Sequence, residues 1–268
     1  IQQFFVIHDS FAWFFAFLPW SILAIVSLLD NWKSNGLVWV LLTQIILSFA
    51  GFIPPQMVAY GLVIGLLLLA YVVAKGWIGL KRAFIVGIVL FVAHVYWLLP
   101  FARYALSNTD TYLNSKLNLV TTPDNGLKSV NYGGWDSLVF GKGFYFESLD
   151  IIDGDVMHSA PILSDWENYW NQGSVRNVLA GVFFLAVLGL VSVFVELGWW
   201  KWGMMGGFLL SASGLAISAW PISYVGKSFH LILIFEQAFR IGFTKLSILY
   251  VMFLAVCADT RPKSIFSI

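Results

Sequence analysis

The chain has 268 residues, of which 59% are hydrophobic and 11% charged, and a water-soluble globule of this size has no interior large enough to hide them. The bilayer is therefore its expected solvent. A net charge of +1, with Lys and Arg scattered at the ends of apolar runs, gives no case for nucleic-acid binding, and the single cysteine, Cys257, excludes an intramolecular disulfide.

The chain begins at Ile1, with no initiator Met and no basic stretch before the first apolar run, and this reads as an internal or processed piece of a longer protein. Residues 11–29 form an uncharged run of crossing length, since a hydrocarbon core of ~30 Å needs about 20 helical residues. Asp30 to Gly36 has the polar and glycine content of a turn. Residues 37–53 make a second span that Pro54-Pro55 ends, and residues 57–74 make a third. Lys75, Lys81 and Arg82 precede a fourth span at 83–101. After a long polar segment come a fifth span at 177–195, an interfacial anchor at Trp199-Trp200-Lys201-Trp202, and a sixth span at 203–221.

The last crossing occupies 241–258 and carries Lys245. Residues 229–239 are apolar but span only ~16 Å as helix, which suits a re-entrant or interfacial helix. No strand-type alternation points to an outer-membrane barrel. The expected fold is an all-α polytopic membrane protein with about seven transmembrane helices, one re-entrant or interfacial helix and a long extracytoplasmic loop forming a small cap. Its parts are a bundle of spans one to four at 1–101, the cap at 102–176, and a bundle of spans five to seven at 177–268.

Charge sets the orientation. The loops after spans one, three, five and seven hold Lys33, then Lys75, Lys81 and Arg82, then Lys201, then Arg261 and Lys263, against Asp30, Glu196 and Asp259. Such a bias places those loops and the C-terminal end in the cytoplasm, with the N-terminal end and 102–176 outside. The long segment is acidic and holds Trp135, Phe140, Phe144, Tyr145, Phe146, Trp166, Tyr169 and Trp170, enough aromatic material for an ordered cap. The expected location is the cytoplasmic (inner) membrane, with multiple passes.

Four features could carry chemistry, and each has a structural alternative. Asp150, Asp153, Asp155 and His158 offer donors to a divalent cation, or form a solvated acidic turn in an order unlike an EF-hand; no metal ligand is assigned and the cofactor is unknown. His8-Asp9 precedes the first span, where Asp9 could act as a general base or begin the helix as a polar cap. His94 lies inside the outer end of the fourth span, as a substrate contact or as a buried structural histidine. Glu236, Gln237, Arg240 and Lys245 gather before the last span. Glu236 and Arg240 have intrahelical-pair spacing, and Lys245 serves either to bind an anionic group or to pair and snorkel.

Tyr96-Trp97-Leu98-Leu99-Pro100, closing an outward span ahead of a large outside segment, resembles the NxYWLLP-type signature of bacterial polytopic proteins in the GT-C glycosyltransferase clan. Phe239-Arg240-Ile241-Gly242-Phe243-Thr244-Lys245 is similar to the FRxPFTK-type start of a late span in the same group, particularly its arabinofuranosyltransferase-like members. His94 stands at the Asn position of the first signature and Gly242 at the Pro position of the second.

The resemblance implies a glycosyltransferase fragment that moves a sugar from a polyprenyl-phosphate donor to an extracytoplasmic glycan or lipid acceptor. The substrate-binding residues would be His94, Arg103, Glu236, Arg240 and Lys245, with the cations facing the leaving lipid phosphate. It also implies an essential acidic residue in a first outside loop upstream of this chain, so Asp9 is the one catalytic candidate within it. A transporter or lipid-handling protein without covalent chemistry is the competing expectation, with His94 and Lys245 on a permeation or proton path.

Overall fold

In hydrocarbon the backbone must bond to itself within each segment, so long apolar runs become helices, and the described residues are almost entirely helical. The computed structural model describes residues 9–49, 54–113, 131, 133–141, 149–151, 159–161, 164–195, 198–229 and 242–259. In chain order these give α1 (Asp9–Asp30), α2 (Ser34–Ser48), α3 (Pro54–Leu113), α4 (Trp135–Phe140), β1 (Leu149–Ile151), β2 (Ser159–Pro161), α5 (Ser164–Trp170), α6 (Gly173–Val195), α7 (Trp199–Leu215), α8 (Ser223–Phe229) and α9 (Gly242–Asp259). Three of the described helices contain stretches long and apolar enough to cross a membrane: Ala12–Asp30, Gln56–Asn108 and Gly173–Val191. Ser34–Ser48 and Leu246–Cys257 are shorter apolar helices. Leu23, Val73, Phe84, Phe184 and Val191 stand exposed on these helices, as lipid-facing side chains do.

The chain divides into two compact units, the first comprising Ile1–Thr121 with Leu197–Phe208 and the second Thr122–Glu196 with Leu209–Ile268. In the first, α1 packs on α2 and α2 on α3. Helix α3 is 60 residues long, yet Tyr60 and His94 both hydrogen-bond to the same side chain, Gln44. On a straight helix those two residues would be ~51 Å apart. The chain must therefore fold back between them, and the break is at Gly76, whose φ of 58° and ψ of −135° are non-helical. Gly76 lies about as far from Tyr60 as from His94, so a reversal there returns His94 to the depth of Tyr60.

Gly79 completes the turn. A Cβ there would lie 3.0 Å from the Tyr71 carbonyl oxygen and 3.0 Å from the Val72 Cα, so the returning arm runs against the outgoing one. The expected third and fourth spans are thus the two antiparallel arms of α3, 54–75 and 77–113, and the expected cationic loop at 75–82 contracts to a turn at Gly76. Pro100 removes one ladder hydrogen bond without ending the helix. The fourth span was expected to end at residue 101, but the helix continues to Leu113 and takes the beginning of the expected loop with it.

One end of this unit collects three of the loops that charge had placed on one side. The Trp199 indole donates to Asp30 Oδ1 at 2.7 Å, the Tyr71 hydroxyl donates to the Leu29 carbonyl at 3.0 Å, and Tyr71 and Trp199 meet edge to face with centroids 4.8 Å apart. Trp199 is consequently buried, bracing helix ends against one another. Of the interfacial anchor expected at 199–202, Trp199 is thus turned inward and Trp202 is exposed. Helix α7 lies so close to the first arm of α3 that a Cβ on Gly203 would fall 2.8 Å from the Leu67 Cα.

In the second unit α6 packs on α9, α4 and α5. Strands β1 and β2 pair antiparallel, with Asp150 opposite Ala160. Helix α7 stops at Leu215, short of the expected end of the sixth span at 221, and the chain turns through 216–222 into α8. That turn holds the segment around α4: Ser218 N–H donates to the Gly133 carbonyl at 3.1 Å, and the Trp135 indole donates to the Trp220 carbonyl at 3.0 Å. Tyr250, two turns into α9, donates its hydroxyl to the Leu138 carbonyl at 2.8 Å. The α4 part of the expected cap is therefore seated against the helices of its unit. The apolar run at 230–239 lies outside the described residues.

Candidate functional site

A polar side chain inside an apolar helix needs a partner from another helix, since lipid supplies none. In the first unit four such side chains find one another. Ser21 on α1, Gln44 on α2, and Tyr60 and His94 on the two arms of α3 are all buried. Gln44 is the hub. Its Nε2 donates to Ser21 Oγ at 2.6 Å and to the Tyr60 hydroxyl at 2.8 Å, while its Oε1 lies 3.0 Å from the Tyr60 hydroxyl and 3.2 Å from His94 Nε2. Ser21 and Tyr60 also share a direct hydrogen bond.

The neighbours of His94 fix its tautomer. The Trp97 indole donates to Nδ1 at 3.1 Å, and because an indole N–H can only donate, Nδ1 must be the bare nitrogen. The proton then sits on Nε2, which donates to Gln44 Oε1. Both ring nitrogens are engaged within the unit, which leaves neither for a substrate in this arrangement. Trp97 also meets the imidazole edge to face, with centroids 5.8 Å apart.

One turn further along α2 the pattern repeats. The Tyr96 hydroxyl donates to the Ser48 carbonyl at 3.1 Å and lies 3.1 Å from Ser48 Oγ, so the Tyr96-Trp97 pair ties the second arm of α3 to α2 and to His94. Gln56, on the first arm, is fully buried, and among the described residues neither atom of its amide has a hydrogen-bond partner. It is one turn from Tyr60 on the same arm and therefore near the network in height.

Arg103 is exposed on the second arm, one turn beyond Pro100, with exposed Leu99, Tyr104 and Leu106 around it. Among the described residues it pairs with no carboxylate; the one ion pair they contain joins Arg176 and Asp136 at 2.9 Å. Asp9 is the first residue of α1, and its side chain, like all of His8, lies outside the described residues. Glu236 and Arg240 lie outside them as well, and Lys245 is placed only by its backbone, on the first turn of α9. Of the expected site residues, Asp9, His94 and Arg103 belong to the first unit, and Glu236, Arg240 and Lys245 to the second.

No group of three or more His, Cys, Asp or Glu among the described residues is placed to hold a metal ion. Asp150 lies on β1, while Asp153, Asp155 and His158 fall outside those residues. The sequence reading passed over Ser21, Gln44, Gln56 and Tyr60. Two glutamines inside apolar helices were the available signal, because a buried amide in lipid requires a partner as surely as a histidine does. No protein-family model, curated protein or solved structure matches this chain.

Proposed function

We propose that the chain is the membrane part of a glycosyltransferase that takes a sugar from a polyprenyl-phosphate donor and passes it to an acceptor outside the cytoplasmic membrane, within a bundle of seven crossings. The observation that carries this reading is the position of Arg103. It is an exposed cation without a carboxylate partner among the described residues, on a helix that emerges beyond Pro100 with apolar side chains around it. A lipid phosphate arriving from the bilayer would meet a guanidinium in such a place, and a guanidinium matches phosphate geometry with paired N–H donors.

Arg240 and Lys245 keep the phosphate-facing role that the resemblance implies, and Asp9 that of the acceptor's base. His94 acts as a strut, because Gln44 and Trp97 occupy its nitrogens. Transfer of labelled sugar from a polyprenyl-phosphate donor should fall at least tenfold in Arg103→Ala and in Lys245→Ala, with His94→Gln retaining activity wherever it still folds. Full transfer by both alanine variants would remove the proposal.

A second reading, a transporter or lipid-handling protein, is favoured by one observation: two amides lie buried in apolar helices, that of Gln44 bonded to the Tyr60 hydroxyl and the His94 ring and that of Gln56 without a partner among the described residues. On that reading Gln56→Leu alters substrate flux and leaves glycan transfer absent throughout. Measuring both in proteoliposomes separates the two.

A further inference from the structure

The end of the first unit opposite Tyr96 carries a concentration of cations that the reaction above does not use. Lys75, Lys81 and Arg82 flank the Gly76 turn, and Lys33 follows Trp32 in the α1–α2 connection. The contacts bring these segments together. The Arg82 guanidinium lies over the Trp32 ring, 5.0 Å from its centroid, and its Nη1 donates to the Tyr71 hydroxyl at 3.1 Å. That hydroxyl donates its hydrogen bond to the Leu29 carbonyl, so the guanidinium is held by an oriented acceptor on one side and an aromatic face on the other.

Lys75 lies beside Gly79 across the turn, since a Cβ there would come within 3.0 Å of the Lys75 Cβ. Lys81 rests over Trp77, its Nζ 5.6 Å from the ring centroid, and Trp77 is itself 68% exposed. Among the described residues none of Lys33, Lys75, Lys81 and Arg82 pairs with a carboxylate, and the one described acid at this end, Asp30, accepts from the Trp199 indole.

We infer that this end of the first unit is a binding site for the phosphate headgroup of an acidic bilayer phospholipid, with Arg82 as its fixed cation and Lys75 and Lys81 closing around the headgroup. The charge complementarity is direct: several cations that, among the described residues, have no protein anion paired to them, beside an exposed indole of the kind that sits at headgroup depth. Exposed Ile78, Leu80 and Phe84 on the adjoining arm supply an apolar surface for the acyl chains. A free phosphate ion would gain nothing from these side chains. Each cation near an anionic lipid surface is worth about fivefold in affinity, so the site should prefer phosphatidylglycerol to phosphatidylcholine by at least that factor.

The test is native mass spectrometry of the full chain extracted from vesicles of equal phosphatidylglycerol and phosphatidylcholine, counting the lipids that stay bound. The native chain and a charge-keeping Lys75→Arg/Lys81→Arg/Arg82→Lys variant should retain phosphatidylglycerol in excess. A Lys75→Gln/Lys81→Gln/Arg82→Gln variant should retain the two lipids equally. If the triple variant does not fold, Lys75→Gln/Lys81→Gln, which alters exposed side chains only, should still lose part of the preference. Equal retention by the native chain, an unchanged preference in either glutamine variant, or displacement of the lipid by millimolar inorganic phosphate would each overturn the site.

Discussion

Gln44 carries more of the first unit's specificity than any charged residue in it. Its amide bonds α1, both arms of α3 and α2 together at one depth, so a sliding helix would leave several polar groups stranded in hydrocarbon. Single interhelical hydrogen bonds in membranes average only about 0.6 kcal/mol, because the separated helices find other partners. Orphaned buried groups cost more, about 1–3 kcal/mol. Gln44→Leu should therefore lower stability by about 1–3 kcal/mol in a reversible detergent-unfolding titration, and His94→Leu by about 1 kcal/mol. The double variant should lose less than the sum, with a coupling of at least ~0.5 kcal/mol. Strict additivity would mean that Gln44 and His94 do not share a network. The sequence announced His94 as a buried titratable ring but concealed its partners, because Ser21, Gln44 and Tyr60 are far from it along the chain and only the hairpin brings them to its level.

At the scale of elements, hydropathy located the apolar helices well and their ends poorly. A change of composition marks where lipid gives way to water, whereas a helix continues for as long as its backbone bonds are made. This is why the second arm of α3 runs past Pro100 to Leu113, and why the cation-rich stretch before it is helical on both sides of one glycine. Gly76 is the position on which the hairpin depends. A Cβ there meets nothing within 4 Å, so the cost of replacing it comes from the backbone alone. At φ 58° and ψ −135° that cost is about 1–3 kcal/mol. Gly76→Ala should lower the unfolding free energy by that amount, whereas Gly87→Ala, within the second arm and also with open space, should be neutral or slightly stabilising. Equal effects at the two sites would argue against a reversal at 76. The α4 region shows the opposite balance, since Arg176 is held by an exposed ion pair with Asp136 and by the Phe140 ring 4.3 Å away. Exposed pairs contribute 0–1 kcal/mol, so Arg176→Ala should leave the protease resistance of this segment nearly unchanged.

For the whole molecule, the charges of the sequence and the contacts of the structure bear on one question, how many times the chain crosses. Charge put the connections after spans one, three and five on one side; contacts in the first unit bring Asp30, Arg82 and Trp199 to one end independently of any charge count. Among the described residues, the second arm of α3 is the one long helix between Lys75 and the α4 segment, and α6 is the one long helix between Asp165 and Lys201. In the seven-crossing arrangement proposed above, each would make a single passage. In a chain whose Cys257 has been replaced, cysteines at Asp136 and Asp165 should then react with an impermeant maleimide on intact cells, and cysteines at Lys33, Lys75 and Lys201 only after the membrane is opened. Asp136 and Asp165 are exposed, as are Lys33 and Lys75, so failure to label reflects sidedness and not burial. Labelling of Lys75→Cys from outside, or protection of Asp136→Cys in intact cells, would require an even number of passages between those positions. Either outcome would remove the single passage assigned to the second arm of α3, and with it the seven-crossing proposal.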